Sequence, residues 1–183
     1  MKLLGNSRRM TFSWRQLAGD SGAEIAETAI VMPLVFLFLL AIFWFGRAYN
    51  VYSTITYAAR EGALTAARTN CATCGNTLPT PANVAARVTS VLQASKLDPT
   101  PIAIYNVTPT PNFCAGFNQA NSCGISGNVT VCRNVQLNST NSNLPTCGAL
   151  VSFQYPYQFY LPFTSLGAQL FNLPAAAEVP MEY

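Results

Sequence analysis

Polar and apolar positions are sharply segregated along this chain. From Ala29 to Phe45 the sequence reads AIVMPLVFLFLLAIFWF, with Glu27 on one side and Arg47 on the other. With Thr28 this makes 18 consecutive uncharged residues. At about 1.5 Å per residue they form roughly 27 Å of helix, close to the ~30 Å hydrocarbon core of a bilayer. A helix of a soluble domain keeps one polar face for water, and this run has none. The pattern predicts one membrane-spanning helix.

Helical periodicity starts near Ala23, after Ser21-Gly-Ala-Glu24, which has the form of a capping box. It continues to about Arg68, interrupted only by Pro33. That proline removes one backbone bond and either is simply tolerated in the membrane or bends the helix for packing in an assembly. Beyond Arg47 the helix turns amphipathic. Ala48, Val51, Tyr52, Ile55, Ala59, Gly62, Ala63 and Ala66 follow helical spacing. Ala59, Gly62, Ala63 and Ala66 make a small-sided face for close helix packing, either on the chain's own domain or on a partner.

The rest of the pattern is shorter in period. Cys71 to Pro81 reads as a loop and Ala82 to Leu97 as a second helix with Val84, Val88, Val91 and Leu92 on one side. Ile102–Val107 and Val129–Leu137 read as strands. Ala149–Tyr160 gives the strongest strand signal, with Val151, Phe153, Tyr155, Tyr157 and Phe159 on one face. Thr108–Gly127 and Asn138–Pro145 read as polar loops, Thr164–Phe171 as a short helix, and Pro174–Tyr183 as a tail. The expected fold class is α+β: a long N-terminal transmembrane and amphipathic helix, then a small disulfide-stapled domain with an antiparallel sheet. The expected divisions are a leader (1–22), the span (23–46), its amphipathic continuation (47–68) and a cysteine-bearing domain (69–183).

Charge adds orientation. Residues 1–22 carry Lys2, Arg8, Arg9 and Arg15 against Asp20, and so hold the whole formal charge of +3; the rest of the chain is balanced. The positive-inside rule then places the leader in the cytoplasm and the C-terminal domain outside. A cleaved secretory signal would need a shorter apolar core and a small-x-small site after it, where this chain has Trp44-Phe45-Gly46-Arg47. All six cysteines, Cys71, Cys74, Cys114, Cys123, Cys132 and Cys147, follow the span. An even number in a weakly charged Ser/Thr/Asn-rich stretch predicts disulfides, with 15 possible pairings. The competing use is zinc, because Cys71-x-x-Cys74 is half of a four-thiolate site; no second such pair and no histidine accompany it.

Chemistry is otherwise sparse. Only Arg87, Lys96, Asp98, Arg133, Glu178 and Glu182 are charged between Thr69 and Tyr183. That excludes a polyanion-binding surface, and so nucleic acid, because phosphate recognition needs clustered Lys and Arg. With no histidine base and no paired acids, acid–base catalysis has no players; we expect no enzyme, no cofactor and no metal. Asn106, Asn128 and Asn138 open N-x-Thr triplets that arise readily in such a composition.

The N-terminal block resembles a known family. Ser21-Gly-Ala-Glu-Ile-Ala-Glu27 through Pro33, the apolar run, Phe45-Gly-Arg-Ala-Tyr49 and Ala58-Ala-Arg-Glu-Gly-Ala63 are similar to the TadE-like family, pseudopilins of the tight-adherence (Flp) pilus system. The resemblance covers about residues 20–68, with a weaker echo in Ala177–Glu182; the cysteine-rich middle has no counterpart in it. It implies cleavage by a prepilin peptidase between Gly22 and Ala23, which would make Glu27 the fifth residue of the mature chain. It also implies assembly through the helix carrying Glu27 and Pro33, in a bacterial inner membrane, with other pilin subunits and an assembly platform as partners. A carboxylate at the edge of an apolar span is costly unless paired, and the freed amine of a neighbouring subunit's Ala23 is a suitable counter-charge. The alternative expectation is a single-pass anchored binding or adhesion domain that joins no filament.

Overall fold

A computed structural model describes residues 21–68, 77–137, 146–158 and 170–181. The chain divides into two units, Met1–Phe45 and Gly46–Tyr183. The described elements are α1 (Ser21–Ala67), α2 (Pro81–Ala94), α3 (Gln119–Ser122) and four strands, β1 (Cys123–Ser126), β2 (Val129–Gln136), β3 (Cys147–Gln158) and β4 (Leu170–Pro180). The strands form one antiparallel sheet in the order β1-β2-β3-β4. The α+β class, with a long apolar helix ahead of a small disulfide-bonded sheet domain, is the one the sequence predicts.

In the second unit, one face of the sheet packs on α2 and on the α1 residues from Ala48 onward. Val51, Ile55, Ala58, Ala59, Ala63 and Ala66 of α1, Val84, Val88 and Leu92 of α2, and Val131, Val151 and Phe153 of the sheet share one buried cluster. Gly62 lets the helices close in: a Cβ there would stand 2.7 Å from Val88 Cγ2 and 3.3 Å from Val151 Cγ1. The opposite face carries a smaller cluster of Cys132, Val135 and Leu150, against which Val107, Phe113 and Cys123 pack.

Helix α2 opens on Thr80, whose Oγ1 accepts from Asn83 N–H at 3.3 Å, with Pro81 at the first helical position. It stops three residues short of the expected Leu97. Lys96 adopts φ 59°, and the Leu97 N–H turns back to Leu92 O at 2.9 Å, which closes the last turn.

The structure corrects four expectations. Ile102–Val107 is not a strand. Only Ala103 pairs, exchanging two 2.9 Å bonds with Gln154, just beyond the Cys147–Ser152 stretch of β3 that β2 occupies. Thr108–Gly127 is not loop throughout: it holds α3 and β1, and Gly127-Asn128, both with positive φ, make a two-residue hairpin turn into β2. Pro174–Tyr183 is not a free tail, since β4 pairs with β3 through Pro180. Leu170 and Phe171 are strand rather than helix; residues 164–169 of that expected helix lie outside the described residues.

Candidate functional site

The first unit presents the residues that the sequence singles out. Gly22 lies in the opening turn of α1 and is exposed. The side chains of Ser21 and Ala23, and with them the expected capping box, lie outside the described residues, as do residues 1–20 of the expected 1–22 leader. Glu24 and Glu27 are both exposed, and Glu27 has no ion pair among the described residues. Thr28 Oγ1 donates to Glu24 O at 2.8 Å. Pro33 lies inside α1 and cannot donate to Ala29 O one turn back.

From Ile25 to Phe45 thirteen large apolar side chains are exposed, among them Leu37, Phe38, Ile42 and Phe45. At about 1.5–3 kcal/mol for each side chain withdrawn from water, their burial is worth tens of kcal/mol, a term no local rearrangement supplies. α1 contains an 18-residue window of mean hydropathy 2.6, none of it buried, and so is long and apolar enough to cross a membrane. One such N-terminal helix suggests single-pass anchoring.

The small-sided stretch further along α1 is occupied. Ala59, Ala63 and Ala66 are fully buried in the second unit's core, and Gly62 is buried between Val84, Val88 and Val151. Their close packing is made within this domain. The side that α1 leaves to solvent there carries Tyr49, Tyr52, Tyr57 and Arg60. Glu61 and Arg87 tie α1 to α2 at 3.2 Å.

Arg133 performs a task that its sequence position does not advertise. It breaks the apolar alternation of β2, yet sits half-buried over the end of α1. Its Nε donates to Ala66 O at 3.3 Å and a terminal nitrogen donates to Pro79 O. A cation at a helix C-terminus satisfies a carbonyl left without a partner and opposes the helix dipole. Burial lowers the guanidinium pKa from its ordinary value; it remains charged at any physiological pH.

The four cysteines among the described residues are all paired. Cys114 joins Cys147 across 33 positions, and Cys123 joins Cys132 directly across the β1–β2 hairpin, with Cα atoms 4.0 Å apart. Oxidised sulfurs are no longer thiolate ligands, so these four cannot build the zinc site that the sequence left open. Cys71 and Cys74 lie outside the described residues. Among the described residues no group of three or more His, Cys, Asp or Glu is arranged to hold a metal.

Asp98 is a local structural acid. Its two carboxylate oxygens accept from Thr100 N–H at 2.9 Å and Thr100 Oγ1 at 2.8 Å, first the backbone and then the side-chain bond holding its pKa below the ordinary carboxylate value.

No curated protein and no solved structure shows significant similarity to the chain. A family model does: residues 22–64, from Gly22 through the exposed apolar run and on to the buried small-residue turns of α1, match the family of the TadE-like protein.

Proposed function

We propose that this chain is a non-enzymatic structural component of a tight-adherence (Flp) pilus system, a pseudopilin or minor pilin held in the bacterial inner membrane by α1. The observation that carries the reading is the coincidence of the TadE-like match over residues 22–64 with an unburied apolar helix that opens at Ser21 and carries Gly22 and Glu27 in its first two turns. In this reading a prepilin peptidase cuts between Gly22 and Ala23. Glu27, exposed and without an ion pair among the described residues, then meets the new α-amine of a neighbouring subunit's Ala23. In a low-dielectric layer that pairing offsets the desolvation of both charges and sets the axial register of the helices. Pro33 leaves the Ala29 carbonyl without its usual donor and gives the helix a place to bend against its neighbours. The disulfide-bonded domain faces the periplasm or the pilus surface, where oxidised cysteines persist.

The test is the intact mass and N-terminal sequence of the protein taken from its native membrane. A chain beginning at Ala23 and lighter by the hydrogens of its disulfides supports the reading. A chain that keeps the leader overturns processing and favours a plain membrane anchor bearing a binding domain.

A further inference from the structure

The second unit has an end that is apolar on two separate elements. Helix α1 runs antiparallel to β3: Arg133, opposite Ala149 in the sheet, reaches Ala66, while Gly62 faces Val151. From Val151 to Tyr157 β3 advances about 20 Å. The same distance back along α1 from Gly62 is about 13 residues, which arrives at Tyr49. The far end of β3 and the start of β4 therefore lie level with the beginning of this unit, four residues after the apolar run ends at Phe45. At that level β4 presents Leu170, 66% exposed, and Phe171, 51% exposed, paired with Gln158 and Tyr157. On α1, Tyr49 is 72% and Tyr52 48% exposed, and Arg47 is exposed beside them.

We propose that this end, formed by Tyr49 and Tyr52 of α1 and Leu170 and Phe171 of β4, is a membrane-contact surface that rests in the lipid headgroup layer. The occupant follows from where the end lies. The chain leaves it directly into a segment that needs hydrocarbon, and the headgroup layer reaches about 5–7 Å beyond the hydrocarbon on each side. Tyrosine rings combine an apolar body with a polar tip suited to that layer. Arg47 supplies a cation for lipid phosphate. Asp98, fully exposed and close enough for its charge to act on Tyr155, stays in water and limits how deeply this end can sink. This membrane contact rests on the apolar run lying in a bilayer and is independent of processing or pilus assembly.

Single-tryptophan variants of the full chain test it, with Trp14 and Trp44 replaced by Phe. Trp is placed at Tyr49→Trp, at Phe171→Trp and, as the opposite-end control, at Phe117→Trp; a fourth variant keeps Trp44 alone. Phe117 is exposed and anchored by Cys114 near Asn134, toward the other end of the sheet. Each is reconstituted in phosphatidylcholine/phosphatidylglycerol vesicles carrying bromine at graded acyl depths, and each is also titrated with aqueous iodide. The expected result is loss of emission at 49 and 171 with bromine at the shallowest depth, with Phe117→Trp losing emission only to iodide. Quenching at 171 by iodide alone would place this end in water and overturn the proposal. Protection from both quenchers would put a protein on the surface and overturn it too. Trp44 separates the two readings: if it also ignores brominated lipid, the span itself is not in the bilayer and both fall.

Discussion

Single residues in the second unit are constrained by contact more than by composition. Gly62 is the position where α1 meets α2 and β3 without side-chain bulk. Gly62→Leu should lower stability by about 1–3 kcal/mol through overpacking, despite a gain of up to about 1 kcal/mol in helix propensity. Thermal unfolding of the detergent-solubilised chain, followed by circular dichroism, checks this; an unchanged midpoint would show that the helices have room. Asp98 gives a pH prediction. Its folded pKa is lowered by the Thr100 bonds, so its contribution is present above the ordinary carboxylate pKa and is lost as pH falls through the lowered folded value. Asp98→Asn removes the titration, and the acid-side loss of stability in a urea series should shrink. A series identical to the parent's would deny Asp98 that share.

Elements are held by staples and turns as much as by hydrophobic burial. The Cys114–Cys147 bond closes 33 positions and Cys123–Cys132 only 9. On the chain-entropy account, removing the first pair as Cys114→Ser/Cys147→Ser should cost about 4 kcal/mol, and removing the second about 3 kcal/mol. Denaturant midpoints of the two double variants should therefore fall in that order. The reverse order would mean that the hairpin bond also shapes the folded sheet. β4 shows how an open edge is kept from pairing with other chains. Gln154 spends its backbone N–H and C=O on Ala103, so Pro174 opposite it points its nitrogen away from β3, and Pro180 shares that parity. Prolines at those two positions cost the sheet no bond and remove two donors from the exposed edge.

For the whole molecule, the pilus reading divides into two separable outcomes. Replacing Gly22 with a bulky residue should leave the full-length precursor in the membrane on an immunoblot; normal maturation would remove the cleavage site from the proposal. Glu27→Gln should still insert and be cleaved, yet be absent from sheared pili. Equal incorporation would refute the Ala23–Glu27 pairing while leaving the anchor intact.

The sequence alone determined the parts whose physics is local. Eighteen uncharged residues specify a helix of membrane length whatever surrounds them, the period-2 run in β3 specifies a strand, and the TadE-like block from Gly22 to Ala63 needs no fold to be read. The long-range partnerships had to wait for the tertiary structure. β1 is four residues with no alternation and is a strand only because β2 folds back on it through Gly127-Asn128. Pro174 and Pro180 make β4 resemble a tail until its edge position shows why they are tolerated. Ala59, Gly62, Ala63 and Ala66 look the same in sequence whether a partner or the chain's own sheet covers them, and the fold puts them in the core. Arg133 reads as a fault in β2 until the end of α1 is found beneath it. Local periodicity is a property of consecutive residues, whereas which face is covered depends on segments dozens of positions away, and only the folded chain brings those together.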